Sequence, residues 1–260
     1  MKQENNIYLV IMQASQVQEK LQTSLLKTGD YFEIGWLEFT KNIRTFVLYL
    51  FIIDLPIALI DTFSPASINP ETGEFEGNFG IAILLRAITL VLATLTCLAA
   101  YKIVERSING QNLEAMTAMK SSTSQMFIML LVSIIASILV GFGFIFLIIP
   151  GIWLGVNWTF ISQAIALRGC KINAMRYSKS LVKNRWWALF GRLILLTLCL
   201  LLLFVPILLV VGFIAGIFSI AGFEAITQVV SSLIVSLVIY YVITINTVIF
   251  LNFDYTKEGV

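Results

Sequence analysis

Two charged residues lie deep inside apolar stretches of the sequence. Asp54 lies six residues before the end of the apolar run 43–60, and Arg86 lies six residues after the start of the run 80–101. A helix rises about 1.5 Å per residue, so antiparallel neighbours would hold both side chains at similar depth. Because an unpaired charge in a bilayer is costly, we expect an intramembrane ion pair between Asp54 and Arg86. Such a pair is either a structural lock between two helices or part of a transport path.

Three basic residues form a second constellation. Arg176, Lys179 and Lys183 recur at helical spacing, and no acidic residue occurs between Glu114 and Glu224 to neutralise them. A helix of this kind lies in the membrane interface with its basic face toward anionic headgroups, where each basic residue contributes roughly 1 kcal/mol of attraction. One interpretation is recognition of a lipid headgroup or a membrane partner, and the other is a topology signal alone. The apolar face of this helix is predicted to consist of Ile172, Met175, Ser178 and Val182.

The chain lacks the usual equipment of an enzyme. It contains no histidine, which removes the commonest general base and the commonest zinc ligand. Cys97, Cys170 and Cys199 are too widely spaced for a disulfide framework or a paired-cysteine metal site. No phosphate-binding loop, zinc-protease motif or nucleophile elbow occurs. We therefore expect no catalytic activity, no metal site and no cofactor.

The composition places most of the chain in lipid. Of 260 residues, 58% are hydrophobic and only 12% are charged, whereas soluble domains carry about 25% charged residues. Backbone groups in lipid must pair within their own segment, so long apolar runs are helices. We predict an all-α fold, a polytopic membrane bundle of about six transmembrane helices with cytoplasmic amphipathic elbow helices. The predicted spans are about 43–60, 80–101, 125–149, 151–168, 187–214 and 228–251.

The distribution of charge predicts the orientation of this bundle. The connection 61–79 carries four acidic residues and no basic one, while almost every lysine and arginine except Arg86 lies at the opposite ends of the spans. By the positive-inside rule the basic side is cytoplasmic, which places the protein in the cell membrane with both termini in the cytoplasm. The predicted segments are a cytoplasmic amphipathic segment 1–42, a six-span membrane domain 43–253 and a cytoplasmic tail 254–260.

Interfacial tryptophans are expected at both surfaces of the bundle. Trp186 and Trp187 stand where the fifth span enters from the basic side, and Trp153 and Trp158 are expected near the outer surface.

A short pattern recurs with an offset of 59 residues. We call residues 110–121 the first copy and residues 169–180 the second copy. A looser third copy runs from Glu33 through Lys41-Asn42, which matches Lys183-Asn184 before the fifth span. The pattern predicts three units of an elbow helix plus a helical hairpin, although two interfacial helices of similar composition would also produce it. The matching residues are Gly110, Ala115, Met116, Lys120 and Ser121 with Gly169, Ala174, Met175, Lys179 and Ser180.

The stretch from Pro150 to Gly191 resembles a known family. It resembles the membrane domain of glycerophosphoryl diester phosphodiesterases and related uncharacterised six-span bacterial inner-membrane proteins. The resemblance implies a bacterial cytoplasmic membrane and a six-helix bundle. It does not imply phosphodiesterase activity, because in that family the chemistry belongs to a separate soluble barrel domain that we do not expect here. The residues that carry it are Pro150-Gly151-Ile152-Trp153, Gly169, Ala174-Met175, Ser178, Leu181-Val182-Lys183, Arg185-Trp186-Trp187 and Leu189-Phe190-Gly191.

Two functional hypotheses follow from these patterns. The first is a non-catalytic integral membrane protein that organises or assists a partner and contacts anionic lipid headgroups through Arg176, Lys179 and Lys183. The alternative is a permease or transporter component, with Asp54 and Arg86 lining its path; a solvent-accessible cavity that reaches both residues would favour it. The expected partners are the lipid bilayer, anionic lipids and a protein in the membrane. Nucleic acid is excluded because the basic residues are tied to the membrane plane.

Overall fold

The computed structural model describes residues 15–63, 67–68, 75–220 and 223–257. Within these residues the chain is helical apart from turns and one antiparallel pair of two-residue strands, Ser67–Ile68 (β1) and Phe75–Glu76 (β2). Residues 1–14 of the predicted N-terminal segment and 258–260 of the predicted tail lie outside this description.

Eleven α-helices and one π-helical turn make up the described chain. The π-helical turn Leu50–Asp54 lies between α3 and α4. The α-helices are α1 (residues 15–23), α2 (Thr28–Lys41), α3 (Ile43–Tyr49), α4 (Leu55–Phe63), α5 (Phe79–Ile108), α6 (Ala115–Phe146), α7 (Ile148–Asn157), α8 (Ile161–Arg168), α9 (Ala174–Val182), α10 (Trp186–Ile220) and α11 (Glu224–Tyr255).

Six helical segments of the described residues are long and apolar enough to cross a membrane, so the predicted all-α membrane bundle is confirmed. The second segment continues to Ile108, beyond the predicted Tyr101, and the third begins at Ala115 rather than at Gln125. The predicted spans end at the first polar residues of each apolar run. Both helices extend past those residues because tertiary contacts stabilise the additional turns. The six segments are Ile43–Phe63, Phe79–Ile108, Ala115–Ile145, Ile148–Arg168, Trp186–Ile214 and Glu224–Tyr255.

Buried side chains concentrate at one end of the bundle, which we call the basic end. It is the end at which α5 and α11 finish and α6 begins; the opposite end, which holds the connection from α4 to α5, is the acidic end. The buried residues of α5 all lie between Thr94 and Ile108, and those of α11 between Tyr240 and Phe253, whereas only 6% of the apolar window of α10 is buried. The helices therefore share a packed core at the basic end and leave wide apolar surfaces for lipid elsewhere.

A charge cluster ties four helices together at the basic end. Arg168 at the end of α8 donates from Nε to Asp254 of α11 at 2.7 Å and from Nη1 to Glu105 of α5 at 2.5 Å. The hydroxyl of Tyr177 in α9 donates to the other oxygen of Asp254. Burial, together with the Asp254 carboxylate, raises the pKa of Tyr177, so this hydroxyl keeps its proton at neutral pH. The cluster fixes α9 against the spans.

The junction between α2 and the first span is held by a buried carboxylate. Glu38 is buried and accepts a hydrogen bond from the Ser107 hydroxyl at 2.5 Å. Lys41 donates to the Ser107 carbonyl at 2.9 Å, and its Nζ lies 3.8 Å from Glu38 Oε1. Burial raises the pKa of Glu38, while Ser107 and Lys41 oppose that shift. Asn42 closes the junction by donating from its side chain to the Glu38 carbonyl at 2.8 Å.

Candidate functional site

The structure separates Asp54 from Arg86, which the sequence predicted to form an ion pair. Arg86 pairs instead with Asp61, with 3.0 Å between Nη1 and Oδ1. Asp54 accepts a hydrogen bond from the Tyr240 hydroxyl of α11 at 2.6 Å. The predicted pairing is thus corrected, because each of the two residues has another partner.

The length of the arginine side chain explains this correction. The prediction compared backbone depths only, and Asp61 lies about two helical turns beyond Asp54 toward the acidic end. An arginine near a helix end extends its charged head toward the membrane surface, where the charge is better solvated. The Arg86 side chain is 73% exposed, so it is free to reach outward to Asp61.

The three predicted basic residues meet at one groove. Arg176, Lys179 and Lys183 all line a cavity of about 560 Å³ at the basic end, bounded by α7, α9 and the start of α10. No acidic residue contributes to this lining. We call this cavity the basic groove. Its remaining lining residues are Trp153, Asn157, Ser180, Val182, Asn184 and Trp186.

Ser178 holds α9 in position by bonding to two backbone groups at a break in the fourth span. Helix α7 ends at Asn157 and α8 begins at Ile161. The Ser178 hydroxyl donates to the Asn157 carbonyl at 2.7 Å and accepts from the Phe160 amide at 3.1 Å. Both backbone groups would otherwise lack partners in a buried setting, where each unmet hydrogen bond costs about 1–3 kcal/mol. The break and α9 are therefore coupled through one side chain.

The buried face of α9 differs from the prediction at one end. Ser178 and Val182 are buried as expected, and Ala174 and Leu181 complete the face. Ile172 was predicted to lie on it, but it precedes the helix and is 78% exposed. Because α9 begins only at Ala174, the helical periodicity used for Ile172 does not extend to that residue.

A sharp bend between α9 and α10 opens the basic groove. Helix α9 ends at Val182, Lys183 follows it as the C-cap, and Trp186 begins α10. Asn184 between them has a backbone φ of 65°, in the left-handed region. Asparagine tolerates this conformation better than most residues with a side chain. The bend keeps α10 from continuing the line of α9 and leaves space between the two helices and α7.

The cations of the basic groove differ in their contacts. Lys179 Nζ lies 5.2 Å from the ring centroid of Trp153, a cation–π contact. Among the residues that the structure describes, the side chains of Arg176 and Lys183 have no hydrogen bond, ion pair or aromatic partner. Both are exposed, as is Lys179. In the sequence, Lys179, which contacts an aromatic ring, lies between Arg176 and Lys183. Neither of these two side chains has a partner among the described residues.

Neighbouring arginines, by contrast, are committed to the fold. Arg185 donates to the Thr256 hydroxyl at 2.8 Å and to the Phe253 carbonyl at 3.0 Å. Arg192 donates to the Leu26 carbonyl through two nitrogens, at 3.1 and 2.9 Å. Positive charge at the basic end therefore has two roles: some arginines join helices, while the basic groove keeps its charge available.

The sequence analysis did not predict that Trp153 lines the basic groove. Trp153 was expected near the outer surface, but it lies against Lys179. The expectation assumed one straight span after Pro150, whereas α9 runs back along α8 and reaches the residues before the break. No proline or glycine marks that break at residues 158–160, so no local signal revealed it.

The predicted charges of the transport hypothesis line none of the four cavities described at these residues. Four cavities at the described residues, the basic groove among them, are lined by neither Asp54 nor Arg86. One of the others is an apolar groove of about 450 Å³ between α10 and α11 toward the acidic end. These cavities give the transport hypothesis no support.

Comparison with known proteins adds no functional label. The chain has no significant match among family models, curated proteins or solved structures. The basic groove is therefore the feature of the chain that bears on its function.

Proposed function

We propose that this chain is a non-catalytic membrane protein that holds an anionic lipid headgroup in the basic groove and so organises or assists a partner in the membrane. The observation that carries the proposal is the lining of the groove. It combines three cations, two of them without a protein acceptor, with no acidic residue.

Electrostatics favours an anionic occupant of the basic groove. Arg176 and Lys179 of α9 and Lys183 directly after it carry like charges that repel each other, and an anion between them removes that repulsion. At a membrane surface each basic residue contributes roughly 1 kcal/mol toward an anionic leaflet, so three contribute about 3 kcal/mol, or more than a hundredfold in affinity.

The surroundings of the groove favour a lipid over a soluble anion. Trp187 next to the groove is 78% exposed, as is Ile172 before α9. Exposed tryptophans are typical of the membrane interface, where one side of the ring contacts acyl chains and the other contacts headgroups. A lipid whose headgroup enters the groove would keep its chains against the apolar surface of α10.

The orientation is part of the same proposal. The basic end would face the cytoplasm, because lysine and arginine accumulate on the inner side of membrane proteins. A reporter that is active only in the cytoplasm, fused after the C-terminal residue, is expected to be active. Activity of an exterior-only reporter at that position would contradict this orientation.

Lipid retention tests the proposed function. The protein is extracted from native membranes in mild detergent, and the anionic lipids that remain bound are counted by native mass spectrometry. Replacing Arg176, Lys179 and Lys183 together with glutamine should reduce retained anionic lipid at least about tenfold.

A second triple variant provides the matched control. Arg44, Lys120 and Lys171 are exposed, lie at the basic end and do not line the groove. Replacing these three with glutamine removes the same total charge and should leave lipid retention within about twofold of the unmodified protein, because lipid that survives extraction in detergent is held by specific contacts and not by the general attraction of a basic surface. Equal losses in both triple variants, or no loss in either, would overturn the proposed function.

A further inference from the structure

Resting on the proposed function, we infer that the basic groove binds a ligand with two phosphate groups, one beside Arg176 and one beside Lys183. The first argument is spacing. Arg176 lies in the first turn of α9 and Lys183 directly follows its last residue, Val182, so a rise of about 1.5 Å per residue separates the two backbones by about 10.5 Å. They are the two groove cations that have no acceptor among the described residues.

The middle cation separates the two ends of the groove. Lys179 lies between Arg176 and Lys183 in the sequence and rests on the ring of Trp153. If a single phosphate drew both outer cations together, three positive charges would crowd around one anion. Two phosphates avoid that repulsion, because each outer cation meets its own anion while Lys179 faces the space between them.

The uncharged lining and the size of the groove fit a polar bridge between two phosphates. The exposed carboxamide of Asn184 lies between the end of α9 and α10. The groove volume of about 560 Å³ falls within the range of about 300–1,000 Å³ that is typical of small-molecule sites. That space accommodates more than one phosphate group and its immediate ester atoms.

This chemistry is present in a lipid such as cardiolipin, which joins two phosphates through glycerol, and in the soluble compound glycerol 1,3-bisphosphate. Phosphatidylglycerol carries a single phosphate and serves as the comparison. The full-length protein in nanodiscs is titrated with cardiolipin or phosphatidylglycerol, and binding is compared at equal phosphate concentration. We expect cardiolipin to bind at least about fivefold more tightly, since it engages one more cation.

Single variants test the assignment of each phosphate. Arg176→Gln and Lys183→Gln should each lower cardiolipin binding to the level of phosphatidylglycerol, while binding of phosphatidylglycerol changes by less than about twofold. Lys171→Gln, which removes a charge outside the groove, should preserve the preference. Equal binding of the two lipids by the unmodified protein would overturn the inference, and so would a preference that survives both groove variants.

The failure of the inference can be told apart from the failure of the proposed function. If both lipids bind equally and the triple groove variant weakens both, the two-phosphate inference fails and the headgroup function stands. If the triple groove variant weakens neither lipid, the proposed function fails as well. Soluble glycerol 1,3-bisphosphate should compete poorly with cardiolipin; competition at equal concentration would support the two-phosphate site and overturn a lipid as its source.

Discussion

The two copies of the repeated segment begin alike in the structure. Gly110 and Gly169 both adopt left-handed backbone conformations, with φ of 71° and 63°. Helix α6 begins at Ala115 and α9 begins at Ala174, which preserves the offset of 59 residues. A serine in each copy also accepts a hydrogen bond from a distant lysine. These pairs are Ser121 with Lys102 at 3.3 Å, and Ser180 with Lys257 at 3.2 Å.

The copies end differently, and the difference creates the basic groove. Helix α6 continues without interruption from the first copy to Phe146. Helix α9 stops after Val182, and the chain bends at Asn184 before α10 begins. A straight helix leaves no space between an elbow helix and the span that follows it, whereas the bend does. The basic groove is thus a departure from the repeat, which is a reason to assign function to it.

The third, looser copy also differs from the second copy, in the contacts of its lysine. Lys41 and Lys183 occupy matching positions before an asparagine. Lys41 is bonded to the Ser107 carbonyl and lies near the buried Glu38, while the Lys183 side chain has no partner among the described residues. One lysine serves the fold, and the other is available for a ligand.

The largest expected effect concerns the anchor that holds the second copy in place. Ser178→Ala removes the hydroxyl that bonds the Asn157 carbonyl and the Phe160 amide. Two buried backbone groups then lack partners, so we expect the free energy of unfolding to fall by about 2–4 kcal/mol. Unfolding in detergent, followed by circular dichroism, measures this change. The exposed Ser180→Ala should shift stability by less than about 0.5 kcal/mol, and similar losses in both variants would contradict the anchoring role.

The next effect compares the matching lysines. Lys41→Gln should destabilise the protein by about 2 kcal/mol, because it removes a hydrogen bond and leaves the buried Glu38 less compensated. Lys183→Gln should leave stability within about 0.5 kcal/mol, because that side chain has no partner in the described fold. The free energies of unfolding of both variants are measured in the same detergent. Equal losses of stability would contradict the different roles of Lys41 and Lys183.

The effect of Lys41→Gln should also depend on pH. Burial raises the pKa of Glu38, so this residue lowers the stability of the fold as pH rises from the ordinary carboxyl pKa through the raised folded value. Lys41 offsets part of that loss by favouring the carboxylate. Below the ordinary carboxyl pKa, Glu38 is protonated in both folded and unfolded chains. The difference between Lys41→Gln and the unmodified protein should therefore be largest at neutral pH and shrink in acid.

The smallest effect tests the shared start of the two copies. Gly110→Ala and Gly169→Ala should each cost about 1 kcal/mol, because a Cβ is disfavoured in the left-handed conformation. At Gly169 an added Cβ meets no atom within 4 Å, so the cost there comes from the backbone alone. Similar changes in the two unfolding midpoints would sharpen the comparison. A loss in only one variant would show that the copies differ at their start as well.

The sequence predicted the helical architecture because lipid imposes a strong constraint on it. Long apolar runs must be helices, and their number follows from counting them. Helical spacing also placed Arg176, Lys179 and Lys183 on one face of a predicted helix, and all three line the basic groove. Their convergence on one groove with Trp153 was not foreseen. It depends on the break at residues 158–160 and on the bend at Asn184, and both result from tertiary packing.

The Asp54–Arg86 prediction failed for a related reason. The depth of a backbone position along a helix follows from counting residues. Which of several acidic residues pairs with Arg86 depends on the length and direction of its side chain. Arg86 selects Asp61, and the Tyr240 hydroxyl pairs with Asp54. Tyr240 lies 186 positions after Asp54, so no local sequence pattern predicts that contact.

The position of a bound lipid tests the central claim most directly. An anionic lipid with a photoreactive headgroup is cross-linked to the protein in nanodiscs, and the labelled peptides are identified by mass spectrometry. The account predicts labelling of the peptides that contain Trp153 and residues 176–186, with loss of this labelling in the triple groove variant. Equal labelling of the first copy around Lys120, or labelling that persists in the triple groove variant, would contradict it.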